Sequence, residues 1–230
     1  MKSFEKVKPN GEERDLTIDN NLPDNPKTGP VKIFTWESAW IKKIDPENSD
    51  DIERIKRIDN QPEVEEYMAG PDITREDLAE ENFYGICLEK SSERTEGFVW
   101  LYESEKDRLD NLKEHNLIDF SEDKEFLEIS FARLIDPNLP LEEQVRGLVP
   151  SAVRQICFSI LRKQTKTTII AFENPQNLLS EGILRNAGFV LRGKAPYHRE
   201  AEEEDNFWIL DKDELEKILK KKRAKYNSKS

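Results

Sequence analysis

Between residues 125 and 191 the sequence alternates strand patterns with helix patterns, and this alternation constrains the fold more than any other feature. EFLEISFARLI (residues 125–135) is the strongest strand pattern in the chain, and TTIIAFE (residues 167–173) is another. A helix pattern follows each of them. The first helix places these apolar residues on one face: Val149, Val153, Ile156, Cys157, Ile160 and Leu161. Strands that alternate with amphipathic helices need a sheet with helices on its faces, so an α/β fold is predicted.

The remaining segments supply further strands and short helices. Residues 31–44, 83–90 and 96–104 are rich in β-branched and aromatic side chains, which is typical of strands, and residues 189–198 and 206–211 read as two closing strands. Residues 50–68 show helical spacing. Thr74 precedes Asp77 by three positions, which predicts a capping box with Asp in place of Glu. Residues 105–124 are almost wholly polar and are interpreted as a surface insertion between strands.

Length and composition favour one domain with polar ends. A chain of 230 residues can bury one good-sized core. We expect a flexible N-terminal arm over residues 1–30, a single domain over residues 31–211, and a charged C-terminal helix and tail over residues 212–230. The acidic chain ends in a basic cluster, KKKRAK, which is interpreted as a solvated helix end.

Charge and cysteine content exclude several classes of protein. A net charge of -12 argues against a general nucleic-acid binder, although an acidic surface can attract cationic partners. The sequence contains no apolar run of membrane-spanning length. Two isolated cysteines, Cys87 and Cys157, lie in apolar segments and suggest buried thiols in a reducing compartment, so a cytoplasmic protein without membrane partners is predicted. The oligomeric state is not readable.

The loop before the first long helix could bind a phosphate. It contains Gln144-Val145-Arg146-Gly147, and a helix begins within a few residues. A helix N-terminus presents unpaired N–H groups and the positive end of a dipole, so it can hold a pyrophosphate. Gly147 would let the phosphate approach the backbone. Many helices start after a glycine loop, so this signal alone is weak.

The second helix has recognisable ends in the stretch NLLSEGILRNAGF. Gly188 directly follows the apolar helical face and is predicted to close the helix in the left-handed conformation. Asn177 is a candidate N-cap at the other end, and Ser180 can be a neutral surface residue. The N-cap assignment does not exclude a role in binding for Asn177.

The two motifs together resemble the GNAT acetyltransferase superfamily. Gln144-Val145-Arg146-Gly147 resembles its acyl-CoA pyrophosphate loop, Gln/Arg-x-x-Gly-x-Gly/Ala, and Asn177-x-x-Ser180-x-x-Ile183-Leu184-x-x-x-Gly188-Phe189 resembles the second signature in the form found in the ribosomal-protein and N-terminal acetyltransferase branch. The resemblance implies a mixed, mostly antiparallel central sheet with helices on both faces, and acetyl-CoA as cosubstrate. It implies these cofactor-binding residues: Gln144, Val145, Arg146, Gly147, Leu148, Val149, Asn177 and Ser180.

Three residues depart from the pattern of the family. Val149 occupies a position that is usually Gly or Ala, and Pro150 lacks an N–H that a phosphate cradle would use. Leu184 stands where many active relatives carry a tyrosine whose hydroxyl protonates the departing thiolate. These departures motivate an alternative, namely a non-catalytic scaffold that binds CoA or a protein partner.

The resemblance implies transfer of an acetyl group to a primary amine by direct attack, and this chemistry needs a base. The amine would belong to a protein N-terminus, a lysine or a small cationic molecule. Glu128 is the candidate base, because partial burial in an apolar strand would make its carboxylate more basic. It could instead be paired with an arginine on a neighbouring strand or be solvated, and Glu173 is the reserve. No metal is expected, since His115 and His198 lack ligand spacing with either cysteine.

Overall fold

The computed structural model describes residues 31–33, 39–65, 73–80, 82–87, 94–118, 124–134, 148–196 and 204–227. The strands are β1 (Val31–Ile33), β2 (Ala39–Lys43), β3 (Phe83–Cys87), β4 (Gly97–Glu103), β5 (Glu125–Arg133), β6 (Thr167–Glu173), β7 (Val190–Pro196) and β8 (Glu204–Leu210). The helices are α1 (Ser49–Asp59), α2 (Pro62–Glu65), α3 (Arg75–Leu78), α4 (Lys106–Glu114), α5 (Leu148–Lys163), α6 (Leu178–Ala187) and α7 (Lys212–Asn227).

The eight strands form one sheet in the order β1-β2-β3-β4-β5-β6-β8-β7. Every neighbouring pair is antiparallel except β5 and β6, which are parallel. A parallel pair needs a crossover connection, and α5 supplies it. The predicted mixed, mostly antiparallel sheet is therefore confirmed, as are the helices on both faces.

Alternate residues of each strand point to opposite faces of the sheet. On β5, Leu127 and Ile129 pack with α5, and the same core includes residues of α6 and α7. Phe126 and Ala132 point the other way, towards cores that are covered by α1, α3 and α4. We call these two sides the α5 face and the α4 face.

The capping motifs that the sequence predicted are present. Thr74 and Asp77 form a reciprocal capping box at the start of α3. Asn177 caps α6 by accepting a hydrogen bond from the Ser180 backbone N–H at 3.1 Å. Gly188 ends α6 with φ at 106°, the left-handed region that favours glycine, and a Cβ at this position would clash with Ile218 on α7.

Three expectations differ from the structure. Residues 31–44 form two antiparallel strands, β1 and β2, instead of one. The helical pattern at 50–68 divides into α1 and α2, since Pro62 cannot continue a helix from the preceding turn. The polar segment 105–124 contains α4, which packs on the sheet and buries Leu112 completely.

Three further segments fall wholly or partly beyond the described part of the chain. The predicted arm over residues 1–30 lies outside it, and of the acidic run REAEEED (residues 199–205) only residues 204 and 205 are described, at the start of β8. The predicted C-terminal helix is observed as α7, and residues 228–230 lie outside. The assigned domain bounds therefore stay a prediction.

Candidate active site

The parallel strands β5 and β6 separate partway along their length. Their register runs from Glu125↔Thr167 to Glu128↔Ile170, and no further pair joins them within the described stretches. Both strands nevertheless continue. β5 stays paired with β4 as far as Arg133, and β6 stays paired with β8 as far as Glu173. We call the opening between residues 129–133 and residues 171–173 the fork.

At the fork, the edge of β5 that faces β6 is unpaired, while its opposite edge stays paired with β4. Five residues of β5 beyond the last pair span about 16 Å at the usual rise of a strand. An unpaired edge presents N–H and C=O groups to any extended ligand that carries amides of its own. The fork can therefore bind an elongated, amide-bearing molecule by backbone hydrogen bonds.

Helix α5 is the next described element after β5 and begins at Leu148. Its first turn contains no acidic residue, so no side-chain carboxylate offsets the positive end of the helix dipole. The side chains of Leu148 and Val149 are both 3% exposed and belong to the hydrophobic core. A ligand could therefore meet only the backbone of these two predicted binding residues. The predicted loop residues 144–147 lie outside the described part of the chain.

Asn177 and Ser180 lie at the start of α6, which packs against α5 on the α5 face. Both are half-buried, and the side chain of Asn177 is occupied as the N-cap. The structure thus places the described members of the predicted cofactor site on the same face of the sheet. No contact in the structure assigns a ligand to any of them, so their binding role stays a prediction.

Glu128 occupies the last paired position before the fork, on the α4 face. It is 3% exposed. Its carboxylate accepts hydrogen bonds from the Tyr102 hydroxyl at 2.9 Å and from Ser104 Oγ at 3.4 Å, and it forms an ion pair with Arg108 of α4. Pairing with an arginine was one of the expected alternatives, but the arginine comes from a helix instead of a neighbouring strand. Its role as the base stays a prediction.

The surface beside Glu128 is aromatic and acidic. The ring of Tyr102 lies 4.5 Å from that of Trp100, whose indole N–H donates to Glu80 at 2.8 Å. Next to Ser104, a hollow of about 530 Å³ is lined by Glu103, Ser104, Glu105, Lys106, Leu109 and Asp110. Three carboxylates against one ammonium make this hollow suitable for a cation.

Glu173 lies at the open end of β6, on the α5 face, and is 4% exposed. Its Oε2 atom accepts from Trp208 Nε1 at 3.0 Å and from Asn206 Nδ2 at 3.2 Å, while Oε1 has no hydrogen-bond partner. Burial raises the pKa of Glu173 above its usual value. The hydrogen bonds from Asn206 and Trp208 oppose this rise, and the charges of Glu181 and Asp205 add to it.

Sequence reasoning missed the partners of Glu128. Tyr102 of β4 and Ser104 directly after this strand are two positions apart, so their period of two could have placed them on one face. Arg108 gave no comparable signal, because its segment is almost wholly polar. Within the described ranges there is no group of three potential metal ligands. None of the described helices has the length and apolar content needed to cross a membrane.

Comparisons with known proteins bear on the fold. No protein-family model matches the sequence, and no curated protein matches it. Solved structures do match. Ribosomal-protein-S5-alanine acetyltransferase from Vibrio fischeri is 17% identical, with a TM-score of 0.52 over 79% of this chain and 97% of that one. RimJ from Mycobacterium smegmatis, in complex with CoA-disulfide, is 13% identical, with a TM-score of 0.53 over 81% of this chain and 88% of that one.

A third similar structure is AAC(6')-Ib in complex with paromomycin and acetyl-CoA. It is 16% identical, with a TM-score of 0.51 over 77% of this chain and 96% of that one. At such identities the likeness establishes the architecture alone. The chain therefore has the GNAT acetyltransferase fold, and the resemblance seen in its two motifs is confirmed at that level.

Proposed function

We propose that this protein is an acetyl-CoA-dependent N-acetyltransferase that moves an acetyl group to a primary amine by direct attack. The fork carries the proposal. β5 and β6 stop pairing at Glu128 and Ile170 while both strands continue, which leaves a rigid backbone edge open at the centre of the sheet. Solved structures with this fold hold CoA or acetyl-CoA, which supports the same use here.

The residues around the fork fit the cosubstrate. The open edge of β5 would bind the amide-bearing arm of coenzyme A, and the start of α5 would face its pyrophosphate. Gln144, Val145, Arg146 and Gly147 complete this proposed site in sequence, and Asn177 and Ser180 flank it from α6. Acetyl-CoA supplies the acetyl thioester. No metal takes part in the proposal.

The acceptor amine would approach from the α4 face. Glu128 lies there at the fork, and the acidic hollow beside Ser104 favours a cationic molecule. Glu128 would accept the proton of the ammonium, directly or through water, and Arg108 and Tyr102 would hold its carboxylate in place. A protein N-terminus or lysine is the first candidate acceptor, and a polyamine or other small cation is the second.

A cytoplasmic location forms part of this proposal. Cys87 and Cys157 are both buried free thiols. Burial raises the pKa of Cys87 to about 11, and it raises the pKa of Cys157 as well. Protonated, inaccessible thiols fit a reducing compartment, where acetyl-CoA is also available to an enzyme.

The alternative is a scaffold that binds CoA or a protein partner without transfer. Leu184 motivates it, because this side chain is 1% exposed, belongs to the core and has no proton to donate. Pro150 also removes one N–H from the first turn of α5. The enzyme and a CoA-binding scaffold both predict binding of CoA, so turnover separates these two.

Calorimetric titration with acetyl-CoA is the first test. The unaltered protein should bind it saturably, and Gly147→Asp should abolish binding, because the added carboxylate would repel the pyrophosphate. Asn60→Asp is the control, since it adds the same charge at an exposed position at the end of α1. No binding by the unaltered protein would overturn the proposal.

Amine-dependent release of CoA thiol is the second test. The panel should include peptides with free N-termini, lysine peptides and polyamines. Release that depends on an amine, and that falls in a folded Glu128→Gln variant, supports the enzyme. Tight binding of CoA without release on the whole panel favours the scaffold.

A further inference from the structure

We propose that Glu173 is the general acid of this site and delivers the proton that the departing sulfur of coenzyme A takes up. The inference rests on the proposed transfer reaction. In the family that the sequence resembles, many active members carry a proton-donating tyrosine at the position of Leu184. Leucine has no such proton, so the donor role is assigned to Glu173 instead.

Glu173 lies at the fork, on the face of the proposed cofactor site. Glu173 is the third residue of β6 beyond the last pair with β5, so its backbone borders the fork. Side chains alternate along a strand, so Glu173 points to the same face as Ile169 and Ala171, which is the α5 face. That face carries the proposed cofactor site at α5 and α6, whereas Glu128 lies at the same fork on the opposite face.

The hydrogen bonds of the Glu173 carboxyl group favour its protonated form. Both donors to Oε2, the Trp208 indole and the Asn206 amide, are neutral, so neither compensates a full negative charge. Oε1 is buried without a partner. A proton on Oε1 would convert an acceptor that lacks a donor into a donor that can be offered to a ligand.

The charges around Glu173 also favour its protonated form. The acidic groups near Glu173 are Glu181 on α6 and Asp205 on β8, and both raise its pKa in addition to burial. Arg185 on α6 lies over the Trp208 ring at 5.0 Å and is ion-paired with Glu181 at 2.7 Å. Glu128, by contrast, is matched by the Arg108 guanidinium. Two carboxyl groups in such different surroundings can divide acid and base roles.

The proton balance of the step is complete. Glu128 takes a proton from the ammonium and passes it to water, and the amine nitrogen then forms a bond to the acetyl carbon and gives its second proton to Glu128. The carbon–sulfur bond breaks, and sulfur leaves with its electron pair. Glu173 gives its Oε1 proton to that sulfur and becomes a carboxylate. Water returns a proton to Glu173 and removes one from Glu128, so the free thiol and the amide are the products.

Titration of the carboxyl in the ligand-free protein tests the inference without turnover. Carbon-13 NMR of glutamate-labelled protein, with the Glu173→Gln spectrum as assignment, should show one carboxyl that titrates above the ordinary glutamate range. Asn206→Ala should move this titration to higher pH, because it removes a bond that lowers the pKa of Glu173. Glu181→Gln should move it to lower pH, because it removes a charge that raises the pKa. A carboxyl that titrates in the ordinary range would overturn the inference.

Kinetics then test the role itself. Glu173→Gln should bind acetyl-CoA as tightly as the unaltered protein but release thiol about 100-fold more slowly, the usual minimum effect of a lost general acid. With S-(4-nitrophenyl) thioacetate as donor the same variant should lose little, because its leaving thiolate needs no proton. In the unaltered protein the rate with acetyl-CoA should fall as pH rises through the pKa of Glu173.

These outcomes separate the inference from the proposed function. A Glu173→Gln variant with the full rate on acetyl-CoA, or with equal losses on both donors, would refute the acid role and leave the acetyltransferase intact. Absence of acetyl-CoA binding by the unaltered protein would refute the proposed function. The carboxyl titration would then still show whether Glu173 retains a proton.

Discussion

Glu128 and Glu173 offer two buried carboxyl groups at one fork with opposite surroundings. They are 3% and 4% exposed, respectively, and lie on opposite faces of the same sheet. Glu128 is paired with a guanidinium and accepts from two hydroxyl groups, whereas Glu173 accepts only from a neutral amide and an indole. Equal burial is therefore combined with different partners, a cation and hydroxyl groups for Glu128 and neutral N–H donors for Glu173.

The different partners of Glu128 and Glu173 also predict how each carboxyl group affects the stability of the fold. Removing one partner of a buried ion pair is strongly destabilising, because the other charge stays buried and loses its counter-ion. A buried carboxyl without a cation costs stability as soon as it ionises. Replacing the glutamate by glutamine should therefore lower the free energy of unfolding at Glu128 and raise it at Glu173.

The largest effect is expected from breaking the ion pair on the α4 face. Arg108→Met and Glu128→Gln should each lower the free energy of unfolding by about 3 kcal/mol, because each deprives a buried charged group of its closest counter-ion. The double variant should lose much less than the sum, since both charges are then absent. Urea unfolding of the four proteins measures this cycle. Additive losses would show that the pair is not coupled.

Most of the fold was readable from sequence, because its elements carry local signals. The capping box at Thr74 and Asp77 and the glycine that ends α6 are written in four or five adjacent residues. The prediction of a single long strand over residues 31–44 was wrong, because the sequence between β1 and β2 contains no strong turn residue to mark where one strand ends. Helix α4 was missed because its apolar face is reduced to a few leucines within a polar segment.

The site was readable only in part. Glu128 and Glu173 could be singled out as carboxylates within or at the end of apolar strands, and Asn177 as a cap. The fork could not be derived from either strand alone, because it depends on where two registers stop matching. Arg108 reaches Glu128 across 20 positions of sequence, and no local pattern reports such a contact.

A smaller effect is expected from removing one hydroxyl from the Glu128 site. Tyr102→Phe deletes a 2.9 Å hydrogen bond to the carboxylate and should cost about 1.5 kcal/mol, a typical value for a bond to a charged group. Ser104→Ala is the matched comparison, because its 3.4 Å contact lies near the limit for a hydrogen bond and should cost less than about 0.5 kcal/mol. Both can be measured by urea unfolding at neutral pH. Equal losses would contradict the assignment of Tyr102 as the stronger partner.

The smallest effect, with the opposite sign, is expected at Glu173. Because the pKa of this group is raised above its ordinary value of 4.5, the folded protein binds its proton more tightly than the unfolded chain does. The stability that this group contributes is complete below the unfolded pKa and is lost as pH rises through the folded pKa. Glu173→Gln cannot lose a proton, so it should exceed the unaltered protein in stability by about 1 kcal/mol at pH 8, the usual scale for one unsatisfied buried group.

The pH dependence of that difference is the decisive part of the measurement. As pH falls below the ordinary value of 4.5 the carboxyl becomes protonated in both states, so the advantage of Glu173→Gln should shrink towards zero. Glu128→Gln serves as the control, since it should be destabilised at pH 8 where Glu173→Gln is stabilised. A Glu173→Gln variant that is less stable at pH 8 as well as at acidic pH would mean that the ionised carboxylate is favourable in the fold. Burial would then fail to distinguish the α5 face from the α4 face.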